Sequence, residues 1–127
     1  MVTDPIADLL TRVRNAVKAR HTKTVVTYSK LKLAIVEVLK KHEFIEDYKV
    51  VKSGSFDEIE ILLNPSHSSL HLKRVSSPGQ RIYIKTNQLK PVLNGYGIGI
   101  ISTPKGVMTT MEAKKTGLGG ELICEVW

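Results

Sequence analysis

Cysteine is nearly absent from this chain of 127 residues, which holds only Cys124. A single thiol allows no intramolecular disulfide, no CxxC pair and no zinc cluster. Cys124 alternates with Leu122 and Val126, so it reads as core packing and not as a nucleophile. Long apolar runs are missing as well. No stretch approaches ~18 uninterrupted apolar residues, so no membrane span and no membrane partner are expected. The N-terminus, MVTDPIADLL, has no basic region leading into an apolar run and does not read as a signal peptide. Aromatics make up 6% of the chain, and the aromatic signature of RNA-recognition sheets is absent, so stacking of single strands on a sheet is not expected. His67 and His71 stand four apart with no third ligand following, so neither a metal site nor a cofactor is expected. Gly95-Tyr96-Gly97-Ile98-Gly99 lacks the GxGxxG spacing and enters a strand, which argues against a dinucleotide site. A reduced, soluble, intracellular protein is the simplest reading.

Acid is the scarcer charge. Asp and Glu total 12 against 19 Lys and Arg, giving +7 and an isoelectric point near 9.6. On a small domain that excess makes a polyanion the first partner to consider, with a membrane surface or an acidic protein also fitting. The basic excess sits at the two ends: +4 over 1–30, −2 over 31–64 and +5 over 65–127. If the ends meet in space they make one basic face. Hydrophobic residues at 42% and charged residues at 24% are an ordinary globular balance, which excludes a disordered tail, a collagen-like repeat and a coiled coil.

Thr3-Asp4-Pro5 reads as a helix start, with a capping side chain and then proline at the first helical position. Ile6, Leu9, Leu10, Val13 and Val17 then make one apolar face. Arg12, Arg14, Lys18 and Arg20 lie on the other side, where Asp8 can pair with Arg12. A short strand fits 21–27. Ser29 caps a second helix with Leu31, Ala34, Ile35, Val38 and Leu39 on one face, fading near His42. A strand over 44–51 places Ile45 and Val51 on one face and Phe44, Tyr48 and Val50 on the other. Ser53-Gly54-Ser55 turns into a cleaner strand over 58–63. The first half reads α-β-α-β-β, with both helices on one face of a small sheet. Asn64–Ser69 is a polar break, dividing domains at 1–64 and 65–127.

The second half reads mostly as antiparallel β with one short helix, an α+β fold for the whole. Strands over 70–75 and 81–85 are joined by Ser76–Gln80, where Pro78-Gly79 suits a type II turn. A helical turn is expected within 86–94, and Gly95-Tyr96-Gly97 leads into a strand over 98–102. Thr109 and Glu112 fit a capping box, Gly117 closes that helix, and Gly119-Gly120 releases a last strand. Met108 and Met111 read as packing. Ser102-Thr103-Pro104-Lys105-Gly106 offers two hydroxyls, a cation and a glycine in one loop, a set that can bond phosphates and base edges. A small enzyme using this loop as an anion pocket is a rival reading, weakened because Glu112 is the only local acid and is explained by capping. A scaffold for acidic proteins is another.

The motifs together carry a resemblance. Asp4-Pro5-Ile6-Ala7-Asp8 with Thr11-Arg12-Val13-Arg14-Asn15-Ala16 opens the chain, and Ser77-Pro78-Gly79-Gln80-Arg81-Ile82-Tyr83 stands at its centre. Gly97–Thr103, Lys105–Thr109, Glu112-Ala113 and Gly119-Gly120-Glu121 follow. In this order and spacing the chain resembles the bacterial-type small-subunit ribosomal protein eight family over nearly its whole length. The resemblance implies two α/β domains and a structural, non-enzymatic protein that binds small-subunit rRNA directly. Its target would be a bulged helix of the central rRNA domain, bound early in subunit assembly. Neighbouring small-subunit ribosomal proteins would be partners. Members also bind their own mRNA and repress its translation. A monomer outside the ribosome and a cytoplasmic place in the small subunit are implied, with bacterial and organellar sources both open.

Helical RNA is read through its shallow minor groove, its 2′-hydroxyls and its distorted loops. Carried over, Ser102 and Thr103 would bond bases or sugars and Lys105 a phosphate. Gly106, Gly119 and Gly120 would permit close approach, and Tyr83 would stack or bond at the rim, beside Arg81 of the central motif. A plain sheet position is the alternative for Tyr83. Arg12, Arg14 and Lys18 would supply phosphate contacts. Pro104 stands where the family usually has serine, removing a hydroxyl and an N–H. Thr110 and Met111 stand where an acidic and then a basic residue are usual, so one phosphate contact is either missing there or supplied by Lys114 or Lys115.

Overall fold

Residues 4–67, 69–90 and 97–127 are described by a computed structural model of the chain. Thr3, Val92, Leu93, Gly95 and Tyr96 lie outside them. Two compact units emerge, one over Ile6–Leu70 and the other taking in residues 71–127 with the first residues up to Pro5.

Helix α1, Pro5–Lys18, buries Ile6, Leu9, Leu10, Val13, Ala16 and Val17, the stripe its spacing predicts. Asp8 and Arg12 form the expected i,i+4 pair at 2.9 Å. Strand β1 is Lys23–Thr27, and α2, Lys30–Lys41, starts where Ser29 Oγ accepts the Lys32 N–H at 3.1 Å. The buried face of α2 keeps Ile35, Val38 and Leu39 of the expected stripe but is rotated toward Lys32 and Val36. Lys32, Ile35, Val36, Val38 and Leu39 are buried, whereas Leu31 is 40% exposed. Lys32 turns inward because its ammonium donates to the Thr27 carbonyl at 3.2 Å and the Thr27 hydroxyl at 2.8 Å. Hydrogen bonding thus compensates a burial that the binary pattern assigns to leucine.

Strands β2, Ile45–Ser53, and β3, Phe56–Leu63, form a hairpin, with β3 central in the order β1-β3-β2. Its turn places Gly54 at φ 67, at the first central position that a II′ turn reserves for glycine. The even alternation expected along β2 fails at one point. A bulge between Ile45 and Asp47 shifts the register, so Ile45 opposes Leu63 but Tyr48 opposes Ile61 and Val50 opposes Ile59. Opposed residues share a face. Ile45, Tyr48 and Val50 therefore lie together, and Val51 lies on the other side.

In the second unit β4, Leu72–Arg74, and β5, Tyr83–Ile84, both pair with the same side of β8, Gly120–Val126. Strand β6, Ile98–Thr103, takes the other side of β8 and then pairs with β7, Gly106–Thr109. The expected strands over 70–75 and 81–85 are thus short and do not pair with each other. Ser77-Pro78-Gly79-Gln80 is a tight turn, but Gly79 is not at positive φ, so the type II geometry is not adopted. Helix α3, Thr110–Thr116, is capped by Thr109 Oγ1, which accepts the Glu112 N–H at 3.2 Å. Gly117 ends it at φ 73, as expected. Leu89, Ile101 and Ala113 form a buried cluster against which Met108 packs. Met111, on the far side of α3 from Ala113, is instead 41% exposed. Cys124 is fully buried, and burial pushes its thiol up to about 12.

Candidate nucleic-acid interface

The Ser102–Gly106 segment is not an open loop. It is the tip of the β6–β7 hairpin, with Thr103 pairing with Gly106 across Pro104-Lys105. Proline pre-sets φ at the first turn position, and Gly106 at φ 121 supplies the positive angle that ends such turns. The missing N–H of Pro104 falls where a turn does not use it. Thr103 is 8% exposed, and its hydroxyl donates to the Gly106 carbonyl at 2.8 Å and accepts the Lys105 N–H at 3.2 Å. That hydroxyl holds the hairpin. Ser102 is half-buried, and its hydroxyl has no partner among the described residues. Lys105 projects from the exposed tip.

A groove of about 730 Å³ opens beside the hairpin. It brings together Tyr83, Ser102, Thr103, Gly119 and Gly120, and adds Lys85, Thr86, Gln88 and Glu121. Tyr83, at the end of β5, is 67% exposed. The two glycines have a reason internal to the fold. A Cβ on Gly119 would meet the Ile84 carbonyl at 2.6 Å, and one on Gly120 would run into the Ser102 carbonyl. They let β8 start in close contact with β5 and β6, and so form the groove floor.

Glu121 organises the groove's other rim. Its carboxylate accepts the fully buried Ser76 hydroxyl at 2.6 Å and lies 3.6 Å from Arg81. Ser76 Oγ in turn accepts the Ile82 N–H at 3.0 Å. This chain of bonds fixes the Ser77–Gln80 turn against β8. Lys85, Thr86, Gln88 and Glu121 line the groove without standing among the expected site residues, and Ser76 supports it from behind through Glu121. Ser76 and Glu121 are 45 positions apart, and nothing local in the sequence signals their pairing.

Lys105, Gly106 and Arg81 flank the groove's segments without lining it. Arg12, Arg14 and Lys18 lie on α1, in the Ile6–Leu70 unit, where Arg12 is paired with Asp8. His67 stacks on Phe44 and His71 on Trp127, each in a different unit.

Comparison with known proteins places this α+β chain among the ribosomal proteins, which are structural and not enzymatic. The model of the family described as Ribosomal protein S8 matches residues 4–127, and the chain belongs to that family. It is 47% identical to the small ribosomal subunit protein uS8 of Solibacter usitatus (strain Ellin6076), over all of both chains. It is 50% identical to that of Anaeromyxobacter dehalogenans (strain 2CP-C), over 98% of each. The corresponding protein of Mycoplasmopsis pulmonis (strain UAB CTIP) is 44% identical, over 100% of this chain and 98% of the relative.

Proposed function

We propose that this chain is a constituent of the small ribosomal subunit in the cytoplasm and binds small-subunit rRNA directly through residues 65–127. The observation that carries this reading is the groove beside the β6–β7 hairpin. It joins an unpaired hydroxyl, Ser102, to an exposed aromatic ring, Tyr83, and a lysine, Lys85, with the Lys105 cation on the adjoining tip. Hydroxyls and a planar ring suit the minor groove and the unstacked bases of a bulged RNA helix, and cations suit its phosphates. The target in this reading is the bulged helix of the central rRNA domain, bound early in assembly by the monomer. Arg12, Arg14 and Lys18 supply phosphate contacts from residues 1–64. A message that imitates the same bulged helix would be held by the same groove, which gives repression of the chain's own mRNA.

Ser102 and Thr103 separate in this reading. Ser102→Ala is expected to weaken binding to the central-domain helix by ~1–3 kcal/mol without lowering the melting temperature. Thr103→Val is expected to cost stability first, because its hydroxyl closes the hairpin. Unchanged rRNA affinity in Ser102→Ala, measured by filter binding, would remove the groove from the interface.

A further inference from the structure

The Ile6–Leu70 unit has a cavity of its own, about 440 Å³, between the end of α1 and the end of β3. Val17, Leu62 and Leu63 give it an apolar floor, and Arg20, Glu46 and His67 stand on its rim. The His67 ring is held in place twice. It stacks on Phe44, with centroids 5.8 Å apart and planes 19° from parallel, and its Nε2 lies 3.1 Å from the Glu43 carbonyl. His67 lines the cavity and Phe44 does not, which sets a stacked imidazole at its edge. Arg20 sits at φ 59, a left-handed angle that costs an arginine energy, and its guanidinium has no partner among the described residues. The described geometry therefore supplies a fixed stacking plane, an open cation and one open carboxylate around an apolar floor.

We propose that this cavity receives one extrahelical RNA nucleotide whose base carries an exocyclic amino group. The base stacks on His67 over Leu62 and Leu63, Glu46 accepts its amino group, and Arg20 meets the adjoining phosphate. Stacking of single bases on rings and charge-assisted contacts to phosphate are how unpaired RNA is held. A carboxylate accepts from an amino group and cannot accept from the carbonyl oxygen that uracil presents there. An acidic peptide is disfavoured because Glu46 would face its carboxylates. The inference rests on the reading of the chain as an rRNA binder and adds a second, separate RNA site in the other unit.

The test is an amide NMR titration of the full chain with ApApA, UpUpU and an acidic, phenylalanine-bearing tripeptide. ApApA is expected to shift Thr22, Leu62 and Leu63 and to bind about tenfold more tightly than UpUpU. Arg20→Asn, which keeps a residue tolerant of positive φ, and His67→Leu should each weaken that binding at least about fivefold. Shifts confined to the other unit, equal response to ApApA and UpUpU, or preference for the peptide would each overturn the proposal. Binding of the central-domain helix is measured on the same sample. A bound helix with a silent cavity overturns this inference alone. A filled cavity with no helix binding overturns the groove reading and keeps the nucleotide site.

Discussion

Two residues show how burial sets chemistry in this molecule. Cys124 is held neutral by its surroundings, with its thiol raised from 9.0 to about 12 by desolvation. Because the folded value is the higher one, its contribution to stability is complete below pH 9.0 and is lost as pH rises from there toward 12. Wild type is therefore expected to lose roughly 1.4 kcal/mol per pH unit more than Cys124→Ala across that window. Parallel pH profiles in urea unfolding would contradict this. Gly120 is the second residue. Its hydrogen faces the Ser102 carbonyl, so Gly120→Ala is expected to destabilise the protein by ~1–3 kcal/mol or more through overpacking, before any effect on RNA. A variant with wild-type melting and lost RNA affinity would show that the glycine serves the ligand instead. Both residues were legible as types in the sequence. The partner of Gly120 was not, because a carbonyl 18 positions away leaves no mark on local spacing.

Helix ends and faces decide the elements. Helices α1, α2 and α3 close with the same pair of bonds back into the last turn, made by the N–H groups of Arg20 and His21, Glu43 and Phe44, and Gly117 and Leu118. Only α3 uses glycine there; Arg20 and Glu43 hold φ 59 and φ 63. Glu43→Gly is expected to raise stability by about 0.5–1 kcal/mol in chemical denaturation, and a loss would contradict the strain reading. The apolar stripe of α1 was readable because nothing polar intrudes on it. In α2 the stripe was misplaced by a fraction of a turn, since Lys32 finds oxygen acceptors on Thr27 that no helical pattern can show. Val36→Ala should then cost about 2 kcal/mol and Leu31→Ala under about 0.5. Equal costs would restore the face that spacing alone suggests. The β2 bulge escaped detection for a related reason: one extra residue flips the alternation, and only the partner strand reveals it.

At the scale of the whole molecule, the chain's α+β class, its family and its order of elements apart from β7, which reads as loop, were legible, because each rests on local spacing or on motifs read in order. The groove was legible only in part. Tyr83, Ser102 and the glycine pair came from their motifs, whereas Lys85 and Glu121 are brought to the groove by the pairing of β5 with β8, which no single segment announces. The hairpin also accommodates Pro104, whose fixed φ suits the first position of its turn. Recognition of a distorted RNA helix, and not merely attraction of negative charge, is the role proposed for this assembled groove. The most direct test is binding to the central-domain rRNA helix, and to the same helix with its bulged core replaced by plain pairs, at two salt concentrations. Tight binding to the bulged helix alone is expected, with affinity falling as salt rises. Equal binding to both helices would contradict it, leaving a basic protein attracted to any polyanion.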